Sequence, residues 1–211
     1  MTARSPGVSI VSAALILTLA ACSSPQRAAP ASAPGSTRPS RGEGVGGPEQ
    51  PVPAENNAPG DIPDTVAFVP YRSKPGGFTI SVPEGWARAL SDRSIRFGDK
   101  LNSITISWKR APGAPTTTRA RTIEVPELER GSTGFRLKSV GSTTLPAGRA
   151  VLIVYEVNSA PNPVTNKRYR LVVERFELYH DGREVILSLS SPVGADNVDA
   201  WRTVSESLSW S

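Results

Sequence analysis

Chemistry in this chain of 211 residues has to begin from very few side chains, because it contains one cysteine, Cys22, and one histidine, His180. A thiolate can act as nucleophile or soft metal ligand, and an imidazole as base or ligand. Each needs company. With no second histidine or thiol, only an all-carboxylate site for a hard cation remains, and Asp61 and Asp64 fall in a Pro-rich stretch while Asp196 and Asp199 have the spacing of a helix start. A Ser-His-acid triad lacks the Gly-x-Ser-x-Gly elbow that would hold its nucleophile. Paired carboxylates for glycoside hydrolysis are defined by separation in space, and Glu174 and Glu177 fall on opposite faces of one predicted strand. The expectation is therefore no catalytic residue, no metal, no cofactor and no enzyme. A hydrolase built on His180 or a carboxylate pair ranks last among the function classes.

Cys22 has a distinctive setting. An apolar run from Val8 to Ala20 follows a start whose only charged side chain is Arg4, and Leu19, Ala20 and Ala21 lead directly into the thiol. The run is too short for a membrane span, which takes about 20 apolar residues, and suits the central region of a signal peptide. The plain alternative is an ordinary secretory signal cut after Ala21, leaving Cys22 incidental. Leu19-Ala20-Ala21-Cys22 resembles a bacterial lipobox. That resemblance implies recognition of Leu19, Ala20 and Ala21 by a signal peptidase, cleavage before Cys22, and acylation of Cys22, so that residues 1–21 are a signal peptide and the mature chain is a lipoprotein on the outer face of the cell membrane.

After Cys22 the composition changes again. Residues 23–64 contain nine prolines and no aromatic side chain, too little apolar surface to order a fold. The stretch 22–65 is predicted to be a disordered Pro/Gly/Ala/Ser-rich tether, with a root-mean-square reach of roughly 35 Å as a coil. From Val66 onward there are 20 Lys plus Arg against 14 Asp plus Glu, an excess that suits anionic neighbours in the envelope and is also what keeps many domains soluble. It is too small, on an exported chain, to point to nucleic acid. The densest basic group, Lys167, Arg168, Arg170 and Arg175 with Tyr169 inside it, is a candidate anion-facing edge for phospholipid or wall polymer, or else a solvated strand start that discourages edge pairing.

One domain, residues 66–211, must position whatever function there is. Phe78, Ile80 and Val82 alternate with polar residues and predict a half-buried strand, as do Ile95 with Phe97 and Ile104 with Ile106 and Trp108. Thr116 to Thr118 predict an N-cap for a helix toward Glu129 that Pro126 interrupts. A strand begins at Phe135. Ala150–Val157 is almost wholly apolar and is expected to be the central strand of a covered sheet. Leu171–Tyr179 and Val185–Leu189 flank Asp181-Gly182, a type I′ hairpin signal. Val198, Trp201, Val204 and Leu208 share one face of a C-terminal helix that Asp196 would cap. The sum is an α+β fold, a layered α/β/α sandwich with a central, mainly antiparallel sheet.

Gly77-Phe78-Thr79-Ile80-Ser81-Val82-Pro83-Glu84-Gly85-Trp86, followed by the Asp181-Gly182 hairpin and the closing Ser207-Leu208-Ser209-Trp210, resembles the PsbP/Mog-like superfamily, and small actinobacterial lipoproteins of that type are similar across the whole folded region. The resemblance implies a central antiparallel sheet flanked by helices, and accessory or binding roles in place of catalysis. The functional expectation is a membrane-anchored, non-enzymatic binding module of the cell envelope whose partner is an envelope protein. The alternative is a carrier of a lipid or other small apolar ligand in an internal pocket.

Overall fold

The computed structural model describes residues 49–55 and 59–211. Leu19 to Cys22, the rest of the predicted signal peptide and most of the predicted tether lie outside the described residues. In the described part, strands β1 (Phe68–Ser73) and β2 (Phe78–Pro83) form a hairpin, completed by β10 (Ser209–Trp210) at the C-terminus. The remaining strands, β3 (Ala87–Ser91), β4 (Ser94–Asp99), β5 (Asn102–Arg110), β6 (Arg136–Leu145), β7 (Gly148–Asn158), β8 (Arg170–His180) and β9 (Arg183–Pro192), form one seven-stranded antiparallel sheet. Its order is β3-β4-β5-β9-β8-β7-β6. The fold class is α+β, as the two-residue periodicity predicts.

Alternation along each strand gives the sheet two apolar faces. Ile104, Ile106, Phe176, Leu178, Val185, Leu187 and Leu189 point to one face, where the small sheet supplies Phe78 and Ile80 and α3 (Val198–Glu206) supplies Trp201 and Val204. The opposite face carries Val151, Ile153, Tyr155 and Val173 under Ala120, Val125 and Leu128. Each face thus has its own helical cover. The β8–β9 turn is type I′, with Asp181 at φ 46 and Gly182 at φ 76, both in the left-handed region that this turn requires.

Three local expectations change. The strand at 150–157 is β7, one in from the β6 edge, and the central strand is β9; both are apolar because both are covered, so burial alone could not rank them. Pro126 does not break the helix. Thr116 Oγ1 accepts from Arg119 N at 3.1 Å, α1 (Thr117–Arg119) runs into a π turn at Ala120–Glu124, and α2 (Val125–Gly131) continues from it. In that turn Val125 N–H bonds back to Ala120 O, and Pro126, which has no N–H to offer Thr122 O, sits where the regular ladder is already interrupted. On α3, Trp201 and Val204 are buried but Val198 is 65% exposed. The N-cap there is Asn197, not Asp196, and its side chain serves another purpose.

That purpose is to hold the segment before β1. Asn197 Oδ1 accepts from Ile62 N at 2.7 Å, and its Nδ2 donates to Gly60 O at 2.9 Å. Asn102 Nδ2 donates to the same carbonyl at 2.7 Å. Ile62 is buried in the main core. The composition of 22–65 predicted no order, yet residues 49–55 and 59–65 lie against the domain.

Candidate functional site

Two places concentrate polar side chains, and they lie on different faces of the large sheet. On the face under the π turn, Glu177 of β8 and Glu184 of β9 are diagonal neighbours, Glu184 lying two residues from Ile186, the partner of Glu177, and Glu124 is lowered onto them by the turn. One oxygen from each lies within 4.8 Å of the others. This is a donor set a hard cation would accept. Here, however, Arg119 Nη2 meets Glu124 at 2.9 Å, Arg175 Nε meets Glu177 at 2.9 Å and Arg175 Nη2 meets Glu124 at 3.6 Å. Lys109 Nζ and Arg119 Nη1 reach Glu184 Oε2 at 3.4 and 3.7 Å. Three carboxylates face three cations, and an incoming metal ion would have to displace them. The arrangement is an ion-pair network that fastens the helical cover to the sheet.

The network is imperfectly satisfied. Glu184 is fully buried and neither of its oxygens has a hydrogen-bond partner, so ion pairing alone offsets its desolvation. Burial pushes the Glu177 carboxyl up, Glu124 and Glu184 add to this, and Arg175 opposes it. A carboxyl raised on folding stabilises the fold below its unfolded pKa, roughly 4.3, and that contribution is lost as pH rises through the higher folded value. Glu177→Gln removes the ionisable carboxyl while keeping an acceptor for Arg175. Its urea-unfolding free energy is expected to improve relative to the parent as pH rises from about 4 to about 7, where the parent's buried carboxyl is forced to ionise. Parallel stability curves for the two proteins over that range would contradict it.

The second place is where β7 ends and β8 begins. Asn158 and Arg170 are cross-strand partners there. Arg170 is buried; its Nε donates to Glu156 Oε2 at 3.2 Å, its Nη1 to Asn158 Oδ1 at 3.1 Å and to Gly134 O. Gly134 has φ 60, and a Cβ on it would stand 2.5 Å from Asn158 Nδ2, so only glycine lets the chain pass this close. Burial would raise Glu156, but Lys138 and Arg170 outweigh it and hold the carboxyl below its ordinary range.

Onto this edge the chain lays residues 49–55 as an extended strap. Asn158 reads its main chain in both senses, donating from Nδ2 to Gln50 O at 2.8 Å and accepting at Oδ1 from Val52 N at 2.9 Å. Asn158 Nδ2 also donates to Glu49 Oε1 at 2.8 Å, and Arg168 Nε pairs with the same oxygen at 3.2 Å. At the other end Glu55 pairs with Lys167, whose Nζ lies 4.9 Å from the Tyr169 ring centroid. That pairing raises the Lys167 ammonium pKa.

The predicted basic cluster therefore divides. Lys167 and Arg168 hold the strap, Arg170 is an internal brace beneath it, and Arg175 lies on the other face of the sheet, because five residues along a strand invert the side-chain direction. His180 stands beside its hairpin turn, stacked on Trp210 at 5.0 Å and 3.3 Å from Asp181. Sequence reasoning missed Glu49, Glu55 and Asn158. Val52 and Ile62, the scarce aliphatic side chains of a Pro- and Gly-rich stretch, were the available signal.

No family model matches the chain, and no curated protein matches it. Among solved structures it is similar to cyanobacterial PsbP (CyanoP) from Synechocystis sp. PCC 6803, at 14% identity over 72% of this chain and 98% of that one, with a TM-score of 0.49. It is also similar to LpqN of Mycobacterium tuberculosis, described as involved in cell envelope biogenesis, at 16% identity over 69% and 91%, TM-score 0.42. The Ran-binding protein Mog1p of Saccharomyces cerevisiae follows at 12% identity over 61% and 79%, TM-score 0.40. What these proteins bind stays with them.

Proposed function

We propose that this chain is an acylated lipoprotein, anchored through Cys22 on the outer face of the cell membrane, whose α+β domain is a non-enzymatic docking module of the cell envelope. The observation that carries the docking role is the edge at Asn158, which holds an extended polypeptide by its main chain and by acidic residues at both ends. One face of the sheet is filled by apolar side chains, and the other by apolar side chains together with the ion-pair network of Glu124, Glu177 and Glu184. Five clefts of about 200 to 350 Å³ among the described residues open at the surface with linings that mix polar and apolar groups, which supports docking over carriage of an apolar ligand inside the fold.

Two measurements test the reading. The parent protein is expected in the membrane fraction and the Cys22→Ser variant in the soluble extracytoplasmic fraction; a variant that stays with membranes sinks the lipid anchor. Native mass spectrometry of the acylated protein, extracted from its host in mild detergent, is expected to find a polypeptide companion. A bound small molecule would move the assignment to a carrier.

A further inference from the structure

Residues 49–55 fit their edge only in part. Between strap residues 51–54 and Arg136, Glu156, Arg170 and Val193 lies a cleft of about 350 Å³. Arg170 is 5% exposed, yet its Nη2 is buried without a hydrogen-bond partner, and the strap side chains facing this cleft are prolines, a valine and an alanine, which have no acceptor to give it. A buried guanidinium nitrogen left unmatched is costly. The edge thus has two acid-pairing ends, a main-chain reader at Asn158 and, between them, a guanidinium already paired with Glu156 whose Nη2 has no hydrogen-bond partner.

We infer that this edge is a binding site for an extended acidic segment of a partner polypeptide, and that residues 49–55 are a weaker, intramolecular occupant which the partner displaces. The inference rests on the docking role proposed above and names the chemistry of its partner. Asn158 recognises paired main-chain N–H and C=O groups, which a lipid headgroup does not offer. A second copy of this chain would bring the same Pro51–Ala54 and leave Arg170 Nη2 unmatched again. The fitting ligand places a carboxylate where Val52 sits, since Val52 N bonds to the same Asn158 oxygen that Arg170 Nη1 reaches. Being tethered, the strap competes at high effective concentration, so weakening it exposes the site.

The test uses the full acylated protein in detergent micelles and two fluorescein-labelled peptides, residues 49–55 and the same peptide carrying V52E, read by fluorescence anisotropy. In the Glu49→Gln/Glu55→Gln protein, the V52E peptide is expected to bind at least about tenfold more tightly than the parent peptide, the effect of one added charge-assisted hydrogen bond. Both peptides should bind the intact protein more weakly, and adding Arg168→Glu should remove binding. If the double variant folds poorly by circular dichroism, Glu55→Gln alone carries the same comparison, because Lys167 is a surface residue. Equal affinity for the two peptides, or affinity unchanged by the strap substitutions, overturns the inference. So does a dimer that the strap substitutions dissolve, or binding of the Cys22→Ser chain to anionic phospholipid vesicles that Arg168→Glu abolishes. Neither peptide result bears on where Cys22→Ser fractionates, so failure here is separable from failure of the anchor.

Discussion

Arg170→Ala is expected to destabilise the domain by about 3–5 kcal/mol, the range for removing one partner of a buried ion pair. The guanidinium is buried at the start of β8 and serves three acceptors at once: Glu156 on β7, Asn158 at the end of β7, and the Gly134 carbonyl before β6. Alanine leaves Glu156 with Lys138 alone, 3.2 Å away, and strands the Gly134 carbonyl. It also frees Asn158 Oδ1 from the bond that orients it, so the strap is expected to loosen together with the core edge. Arg168→Ala is the control. Its side chain is 30% exposed, pairs with a half-buried Glu49 and donates from Nη1 to Ser159 O at 2.9 Å, so its loss should cost about 1–2 kcal/mol, less than that of Arg170. Urea unfolding of both variants at pH 7 decides the matter, and equal losses would mean that Arg170 is no brace.

Asn197→Ala is expected to cost roughly 3 kcal/mol, through a buried main-chain N–H that loses its acceptor and a part-buried carbonyl that loses one of its two donors. The Ile62 N–H would have no acceptor, while the Gly60 carbonyl would keep only Asn102. Asn197 is 2% exposed, so water does not easily take its place. The lost anchor also holds Ile62 in the main core, so residues 59–65 should become the first part to exchange amide hydrogens. Hydrogen exchange followed by mass spectrometry would report this directly. Protection of Ile62 unchanged from the parent would show that apolar burial alone seats the segment.

Local signals were legible wherever a short stretch carries its own physical reason. The type I′ turn at Asp181-Gly182 needs two residues tolerant of positive φ, and both have it. The alternation at Phe78–Val82 and Ile104–Trp108 predicts strands because the period of two exposes one side to the core. Pro126 misled, because a proline rule written for regular helices does not anticipate a π turn immediately before it. Val198 misled in another way: its spacing puts it on the apolar stripe, but the core does not extend that far along α3.

The candidate site was far less legible. Glu124, Glu177 and Glu184 are scattered across 61 positions, and nothing local relates them. Their network exists because β8 and β9 pair in one register and the π turn aims Glu124 downward. Lys167, Arg168, Arg170 and Arg175 form one cluster in the sequence and three environments in space, since strand alternation and a buried strand start separate side chains that are close along the chain.

By itself the sequence determined what depends on residue type and short-range order: one cysteine after a short apolar run, an α+β domain without an internal disulfide, and too few histidine and thiol groups for most metal or triad chemistry. Tertiary structure decided what depends on which distant residues meet. It neutralised the carboxylate cluster with Arg119, Arg175 and Lys109, and it laid a segment with the composition of a tether across Asn158. The physical reason is that composition sums the apolar surface a stretch carries, whereas the strap is held by hydrogen bonds and ion pairs to groups more than one hundred residues away, and such pairings leave no trace in the segment's own composition.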